Sequence, residues 1–415
     1  MRAQGERADP GGYDLASLAA LRLGDPAGVP EFVGPVEAAF VAGKGRGLVA
    51  ARDCEPGELL LVNRPLAVGP AASLLRGTLR ALAGCSEEER EAGGRKARAR
   101  AAAPPGTVQA ILDANAHKLD SPGPGAPRPP SEAAGSGLFL LGSLVNHSCR
   151  PSAARVFLGD TMFVRAARRL QKGDEITDSY VSVMQPAFER RAALEARFGF
   201  RIADDRCLVE DALLPEPVAQ PLLARLDGAL AADVEQLAWD RVALLGAGAV
   251  PAAAEEAAGR LGPGVAWMLC GAFMPAFVGL AVLAEQECLH ERAARAYSRC
   301  CCFMEELAPH SAYHSEWALA ALRAARAASL PLGPFVQYAR RVLRCRHGPG
   351  ALDVAAARGG GLPTAAELAA EPGESPLPPG ALACEVTRRP DALHVSVGTG
   401  EAESAEEVQV LVSAL

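Results

Sequence analysis

The stretch LFLLGSLVNHSCRPSAARVFLGDTMFVRAARRLQKGDEITDSY, Leu138 to Tyr180, decides how the chain is read. It opens as an apolar run, read as a buried strand, and stops in a polar cluster, Asn146-His147-Ser148-Cys149. Two short strands follow around a turn at Gly159-Asp160. A second turn falls at Lys172-Gly173-Asp174, and a third strand ends on Tyr180. Polar groups gathered where a buried strand stops, with a phenol on a neighbouring strand, form the pattern of a built site. Each piece also has a plainer reading. Asn146 and His147 could be a buried polar pair satisfied by backbone, and Tyr180 a core tyrosine.

Around that stretch the totals set limits. At 415 residues the chain has room for two or three domains. A formal net charge of -7 argues against nonspecific nucleic-acid binding and suits basic partners. The 11 cysteines are an odd number at irregular spacings, and the opening MRAQGERADPGG has no apolar core. A reduced intracellular compartment is the expectation. Cys300-Cys301-Cys302 sits in a helical pattern, where adjacent side chains point around the helix, and reads as small packed residues. Val265 to Ala284 carries no charge and is long enough to span a bilayer. Pro275 interrupts it between Gly271 and Gly279, so two short buried helices are expected in place of a membrane span.

In chain order, residues 1–30 are a polar extension. Phe32 to Phe40 reads as a strand entering Gly43-Lys44-Gly45-Arg46-Gly47, Leu48 to Ala51 as its partner, and Leu59 to Val68 as a long apolar strand. Ala71 to Ala102 reads as a charged helix, and Thr107 caps a short helix through His117. Ser121 to Ser136 is a Pro/Gly loop. Pro186 to Phe198 reads as a helix with Arg190, Arg191 and Arg197 exposed. Helical patterns recur over Asp211–Ala247, Ala252–Arg260, Leu280–Leu307, Ala312–Ala327 and Phe335–Arg346. His310 and His314 fall in a predicted loop, where ordinary loop residues are expected. Arg358 to Gly380 reads as a linker, with weak strand signals beyond it at Leu393–Val397 and Val408–Val412.

The glycine-rich turn at 43–47 lacks the spacing of a phosphate-binding loop and precedes no helix, so on its own it is a tight hairpin. The ordered set is more telling. Gly45-x-Gly47, then Asn146-His147-Ser148-Cys149, then Gly173-Asp174-Glu175-Ile176-Thr177-x-x-Tyr180 resembles the SET-domain protein methyltransferases. Gly34-Pro35-Val36-Glu37 and Ala51-Arg52-Asp53 with Gly57-Glu58-Leu59-Leu60 are similar to the same family. The likeness covers about Phe32 to Cys207. It is nearest the branch with a tetratricopeptide-like helical C-terminal domain, related to the SET–MYND enzymes, with Glu291–Ala327 resembling a helix pair of that domain. Cys54 and Cys85 alone precede Cys149, so a MYND zinc finger is not expected.

The resemblance implies an α+β fold. A SET β-fold (31–207) would carry a helical insertion near 71–136, followed by an all-α domain (208–355) and a linker and tail (356–415). It implies transfer of a methyl group from S-adenosyl-L-methionine to a lysine of a protein substrate, histone or other, in the nucleus, the cytoplasm or both. Lys44, Gly45, Arg46 and Gly47 would face the methionine end of the cofactor, and Asn115, Asn146 and His147 would hold it. Tyr180 would be the catalytic tyrosine and part of the lysine channel, with Phe198 and Phe200 walling the adenine or that channel. Asp174 and Glu175 would add negative charge at the channel mouth and draw in a basic substrate. The helical domain would offer a surface to a protein partner; neither direct nucleic-acid contact nor membrane attachment is expected.

The family often follows its Phe-Gly-Phe element with Cys-x-Cys-x-x-Cys, binding zinc together with the cysteine of Asn-His-Ser-Cys. Here that register falls on Ile202, Asp204 and Cys207. Two thiols do not complete a tetrahedral structural site, so no zinc is expected. The same departure supplies a rival reading, a catalytically weak or inactive SET fold that acts through its helical surface.

Overall fold

A computed structural model describes residues 31–69, 116–118, 136–158, 160–225, 230–348, 350–357, 360–370, 384–389 and 392–397. The chain divides into two compact units. The first takes most of the N-terminal half through Asp178, without Ser148–Pro151, and adds Cys345–Gly350; the second takes Ser148–Pro151 and the remainder.

The first unit is made of short strands. β1 (Phe32–Val33), β4 (Leu59–Asn63), β10 (Thr161–Ala166) and β9 (Ala153–Leu158) form one antiparallel sheet in the order β1-β4-β10-β9. Every residue of β4 and β10 is buried, which explains why β4 reads as a continuous apolar run instead of an alternating one. Their register places Val164 beside Leu61, with a bulge before Arg165. A second sheet runs in the order β2 (Val36–Val41), β3 (Gly45–Ala50), β11 (Glu175–Asp178), β8 (Asn146–His147). β11 is antiparallel to β3 and parallel to β8, opposing Thr177 to Asn146 and Asp178 to His147. β5 (Ala67–Gly69), β7 (Ser136–Leu138) and β6 (Ala116–Lys118) make a third sheet. Leu48, Leu61, Phe139, Phe157, Met162 and Ile176 are among the residues that close the core of this unit.

Several predicted strands are shorter in the structure. The Phe32–Phe40 strand breaks at Gly34-Pro35, where a Cβ on Gly34 would lie 2.8 Å from the Leu59 carbonyl oxygen, and where Pro35 has no N–H for a ladder. Leu59–Val68 splits around Pro65 into β4 and β5 for the same reason. The apolar run from Leu138 is not one strand. It leaves β7, makes a 3-10 turn over Gly142–Leu144 and resumes as β8. His117 lies in β6, not in a helix. The predicted helix over 71–102 and most of the 121–136 loop lie outside the described residues.

The second unit is mainly helical: α1 (Ala187–Phe198), α2 (Asp205–Leu213), α3 (Glu216–Leu223), α4 (Leu230–Val242), α5 (Ala252–Leu261), α6 (Val265–Cys270), α7 (Met274–Gln286), α8 (His290–Leu307), α9 (Ala312–Ala327), α10 (Gly333–His347, whose residues from Cys345 on count with the first unit), α11 (Ala351–Ala357) and α12 (Ala365–Ala370). The molecule is therefore α+β. The long pattern at 211–247 is three helices, interrupted where Pro215 precedes α3. The 280–307 pattern breaks at Glu287–Leu289. In the uncharged segment the interruption falls one turn earlier than Pro275, as a 3-10 turn at Gly271–Phe273, and the proline occupies the first turn of α7, where its missing N–H costs nothing. By length and composition Val265–Gln286 could cross a membrane, yet 61% of its most apolar window is buried inside the protein. α12 lies in the predicted linker. β12 (Cys384–Arg389) and β13 (Ala392–Val397) pair antiparallel, and 408–412 lies outside the described residues.

Candidate functional site

In the first unit, the turn from β2 to β3 carries Gly43 at φ 74° and Gly45 at φ 83°, a left-handed backbone that glycine adopts without strain. The chain then brings Gly47 flush against β8. A Cβ there would sit 2.7 Å from Asn146 Nδ2 and 2.8 Å from Val41 Cγ2. The missing methyl is therefore a requirement of close approach. Asn146 Nδ2 donates to Glu175 Oε1 at 2.8 Å and to the Arg46 carbonyl at 3.4 Å. Lys44 Nζ pairs with Glu175 Oε2 at 2.6 Å and donates to the His147 carbonyl at 3.2 Å. Ser152 Oγ donates to the Glu175 carbonyl at 2.8 Å and accepts the Thr177 N–H at 2.9 Å, fixing the strand from which the carboxylate projects.

Lys44 and Asn146, named from sequence positions far apart, are thus joined through one carboxylate, and their side chains also reach the Arg46 and His147 carbonyls. Sequence reasoning gave Glu175 a different task, attraction of a basic substrate. Its oxygens instead take Lys44 and Asn146. Asp174 accepts the Gln171 N–H at 2.7 Å within its turn. Asn115 lies outside the described residues.

In the second unit, the Tyr180 ring meets Phe198 with centroids 5.1 Å apart, and Phe198 meets Phe200 at 6.2 Å. Gly199 ends α1 in the left-handed conformation and turns the chain between the two phenylalanines. Tyr180 and Phe198 rest on a buried cluster of Cys149, Ala187, Leu194, Ile202 and Cys207.

A polar layer lies among these residues that the sequence did not show. Asp204 caps α2 by accepting the Cys207 N–H at 3.0 Å, and its other oxygen accepts the Cys149 N–H at 2.7 Å. Burial alone would raise the Asp204 carboxyl pKa; the Cys149 and Cys207 N–H donors, together with the Cys207 thiol and the Arg190 charge, hold it below the usual value. Arg190, read as exposed, is fully buried. It donates to Glu210 Oε2 at 2.9 Å and to Cys207 Sγ at 3.6 Å, and Arg206 meets Glu210 Oε1 at 2.6 Å and the Cys149 carbonyl at 2.9 Å. The i,i+4 spacing of Arg206 and Glu210 was the available signal; nothing in the sequence distinguished Arg190 from Arg191. Cys149, Asp204 and Cys207 bring three potential metal-ligand atoms within 4.8 Å of one another, while Ile202 packs in the apolar cluster beside them.

The two histidines read as loop residues are buried. His314 stands in the first turn of α9, where Nδ1 accepts the His310 N–H at 2.9 Å and Nε2 lies 2.7 Å from the Tyr338 hydroxyl.

Comparison with known proteins bears on the first of these sites. A family model described as the SET domain matches residues 45–181. Histone-lysine N-methyltransferase SMYD3 of Mus musculus is 36% identical over 77 residues, 19% of this chain and 18% of that protein. A SET and MYND domain-containing protein of Dictyostelium discoideum is 35% identical over 103 residues, 24% of this chain and 30% of that one. Histone-lysine N-methyltransferase ASHR1 of Arabidopsis thaliana is 38% identical over 73 residues, 18% of this chain and 15% of that protein. The chain thus spans between about a seventh and a third of the length of these relatives. Those matches, together with the turn, carboxylate and strand pairing described above, make residues 45–181 a SET domain and relate the chain through it to the SET–MYND proteins.

Proposed function

We propose that the protein is a protein-lysine methyltransferase dependent on S-adenosyl-L-methionine. The observation that carries this reading is the Lys44–Glu175–Asn146 arrangement packed against Gly47. The close approach at Gly47 is made by the protein's own Asn146 and Val41, and it sets the β2–β3 turn against β8. Gly45, with no atom near the place of its absent Cβ, leaves the adjoining backbone open. The residues of the first unit therefore fit the cofactor: residues 44–47, Asn146 and His147 would hold it. Bound there, it would supply an already activated methyl group on a sulfonium.

The protein's own task is alignment and deprotonation. A lysine amine with pKa near 10.4 costs about 4–5 kcal/mol to neutralise at pH 7, and an apolar channel beside a positive charge lowers that cost. The Tyr180 phenol would orient the neutral amine, and Phe198 and Phe200 would exclude water from it. The substrates would be proteins with an exposed lysine, histones or others, met in the nucleus or cytoplasm. The helical unit, read as tetratricopeptide-like, would hold a partner protein.

Transfer of a radiolabelled methyl group to a mixed protein substrate, lost in Tyr180→Phe, is the expected result. Equal transfer by the variant removes Tyr180 from its role. Failure of the intact chain to bind the cofactor in calorimetry would favour the scaffold reading, for which the absent cysteines at Ile202 and Asp204 are the motive.

A further inference from the structure

We propose that this protein closes the segment beneath Tyr180 and Phe198 without zinc, with Asp204 as a backbone clip and the Arg190–Glu210–Arg206 ion network as the structural centre. Only the benefit to catalysis rests on the methyltransferase reading; the absence of metal and the structural role stand apart from it.

The Cys149 and Cys207 sulfurs are 3.6 Å apart, a spacing that two tetrahedral zinc ligands could also take. The rest of the pocket decides against an ion. A structural zinc site needs four ligands. The third position, Asp204, already has its oxygens on the Cys149 and Cys207 N–H groups and, at 3.3 Å, the Ser148 hydroxyl. Ile202 sits in the apolar cluster with the two cysteines and offers no donor. The Arg190 guanidinium already stands 3.6 Å from Cys207 Sγ, buried, with its Nε atom lacking a hydrogen-bond acceptor. Arg206 is equally buried, and its Nη2 also lacks an acceptor. Zinc would displace the two thiol protons and leave the net charge unchanged; what the pocket lacks is the remaining ligands, since Asp204 is held by two backbone N–H groups and Ile202 has no donor atom.

The existing groups do the mechanical work of a metal. Asp204 ties the loop at Cys149 to the N-terminus of α2, while Arg206 ties the Cys149 carbonyl to Glu210 on the same helix. Arg190 adds α1 by reaching Glu210 and the carbonyl of Gln185. Three segments are thereby fixed around the apolar cluster on which Tyr180 and Phe198 rest. Asp204 and Arg190 are positioning residues in this scheme.

The full chain, expressed in zinc-supplemented medium, is expected to carry substoichiometric zinc by elemental analysis. Its melting temperature should be unchanged by EDTA or by added zinc chloride. Arg190→Met should lower that temperature by roughly 10 °C, and Arg190→Lys should recover part of the loss. Asp204→Asn, close to isosteric, should lower the rate of methyl transfer more than it raises KM, because it loosens the support of Tyr180 without altering substrate contacts. One zinc per chain, with a melting temperature that falls on chelation, overturns the proposal, as does Arg190→Met melting with the parent. The metal and melting measurements keep their meaning if the parent transfers no methyl group; only the rate comparison is lost with the methyltransferase reading.

Discussion

Asn146 Nδ2 and Glu175 Oε1 lie 2.8 Å apart, on neighbouring parallel strands whose sequence positions are 29 residues apart. This one hydrogen bond joins the polar cluster to the strand leading toward Tyr180, and Gly47 leaves room for it only because it has no side chain. Gly47→Ala is expected to displace Asn146 or the β2–β3 turn. It should destabilise the fold by about 1–3 kcal/mol and weaken S-adenosyl-L-methionine binding at least tenfold by calorimetry. Native affinity in Gly47→Ala would show that the close approach is not used for binding.

Glu175 is the hub, so Glu175→Gln should act through its partners. Lys44 loses its counter-ion at a site with about a third of its side chain exposed. The stability change is expected to stay within about 1 kcal/mol. Cofactor affinity should drop several-fold as Lys44 and Asn146 lose their fixed orientation. Unfolding in urea, followed by calorimetry on the folded variant, separates the two effects.

Tyr180 meets Phe198 through its ring, and a phenylalanine at that position would keep the contact. Tyr180→Phe should therefore melt close to the parent while methyl transfer falls by roughly 100-fold or more, the scale of a lost positioned polar group at a reacting centre. A matched loss of stability and activity would mean that the hydroxyl is structural.

A pH dependence follows from Glu305 in α8. Burial alone would raise its pKa; His314, Arg341 and His310 outweigh it and hold it at about 2, against an ordinary 4.5. The folded-state value is depressed, so the stabilisation is complete above about 4.5. It is lost as pH falls through about 2. Circular dichroism from pH 6 to 2 should show helical stability declining in that window. Glu305→Gln should remove much of the slope while leaving a less stable protein at neutral pH, because Arg341 then keeps a partly buried environment without its counter-ion.

Much of the first unit was legible in the chain. The β9–β10 hairpin, the turn at Lys172–Asp174 and the glycine-rich turn each declare themselves by local chemistry, since turn residues and apolar runs act over a few positions. Helix α1, with Gly199 as its stop, was equally plain. The errors gathered where a remote neighbour decides the backbone. Gly34-Pro35 and Pro65 break strands that composition alone would continue, and the apolar run at 138–145 turns through a 3-10 segment before it can pair with β11.

The sequence by itself determined which groups are present: the glycines of the turn, Asn146 and His147, Tyr180, and an isoleucine and an aspartate where the family's cysteines would stand. Tertiary structure decided which groups meet. It turned Glu175 from a lure for substrate into the link between Lys44 and Asn146, and took Arg190 from an apparent surface position into a buried ion network. Helical periodicity reports which face of a helix is mostly apolar, but it cannot say whether a charged side chain on that face will meet a carboxylate from another helix. That pairing depends on distance in space, and the folded chain alone sets it.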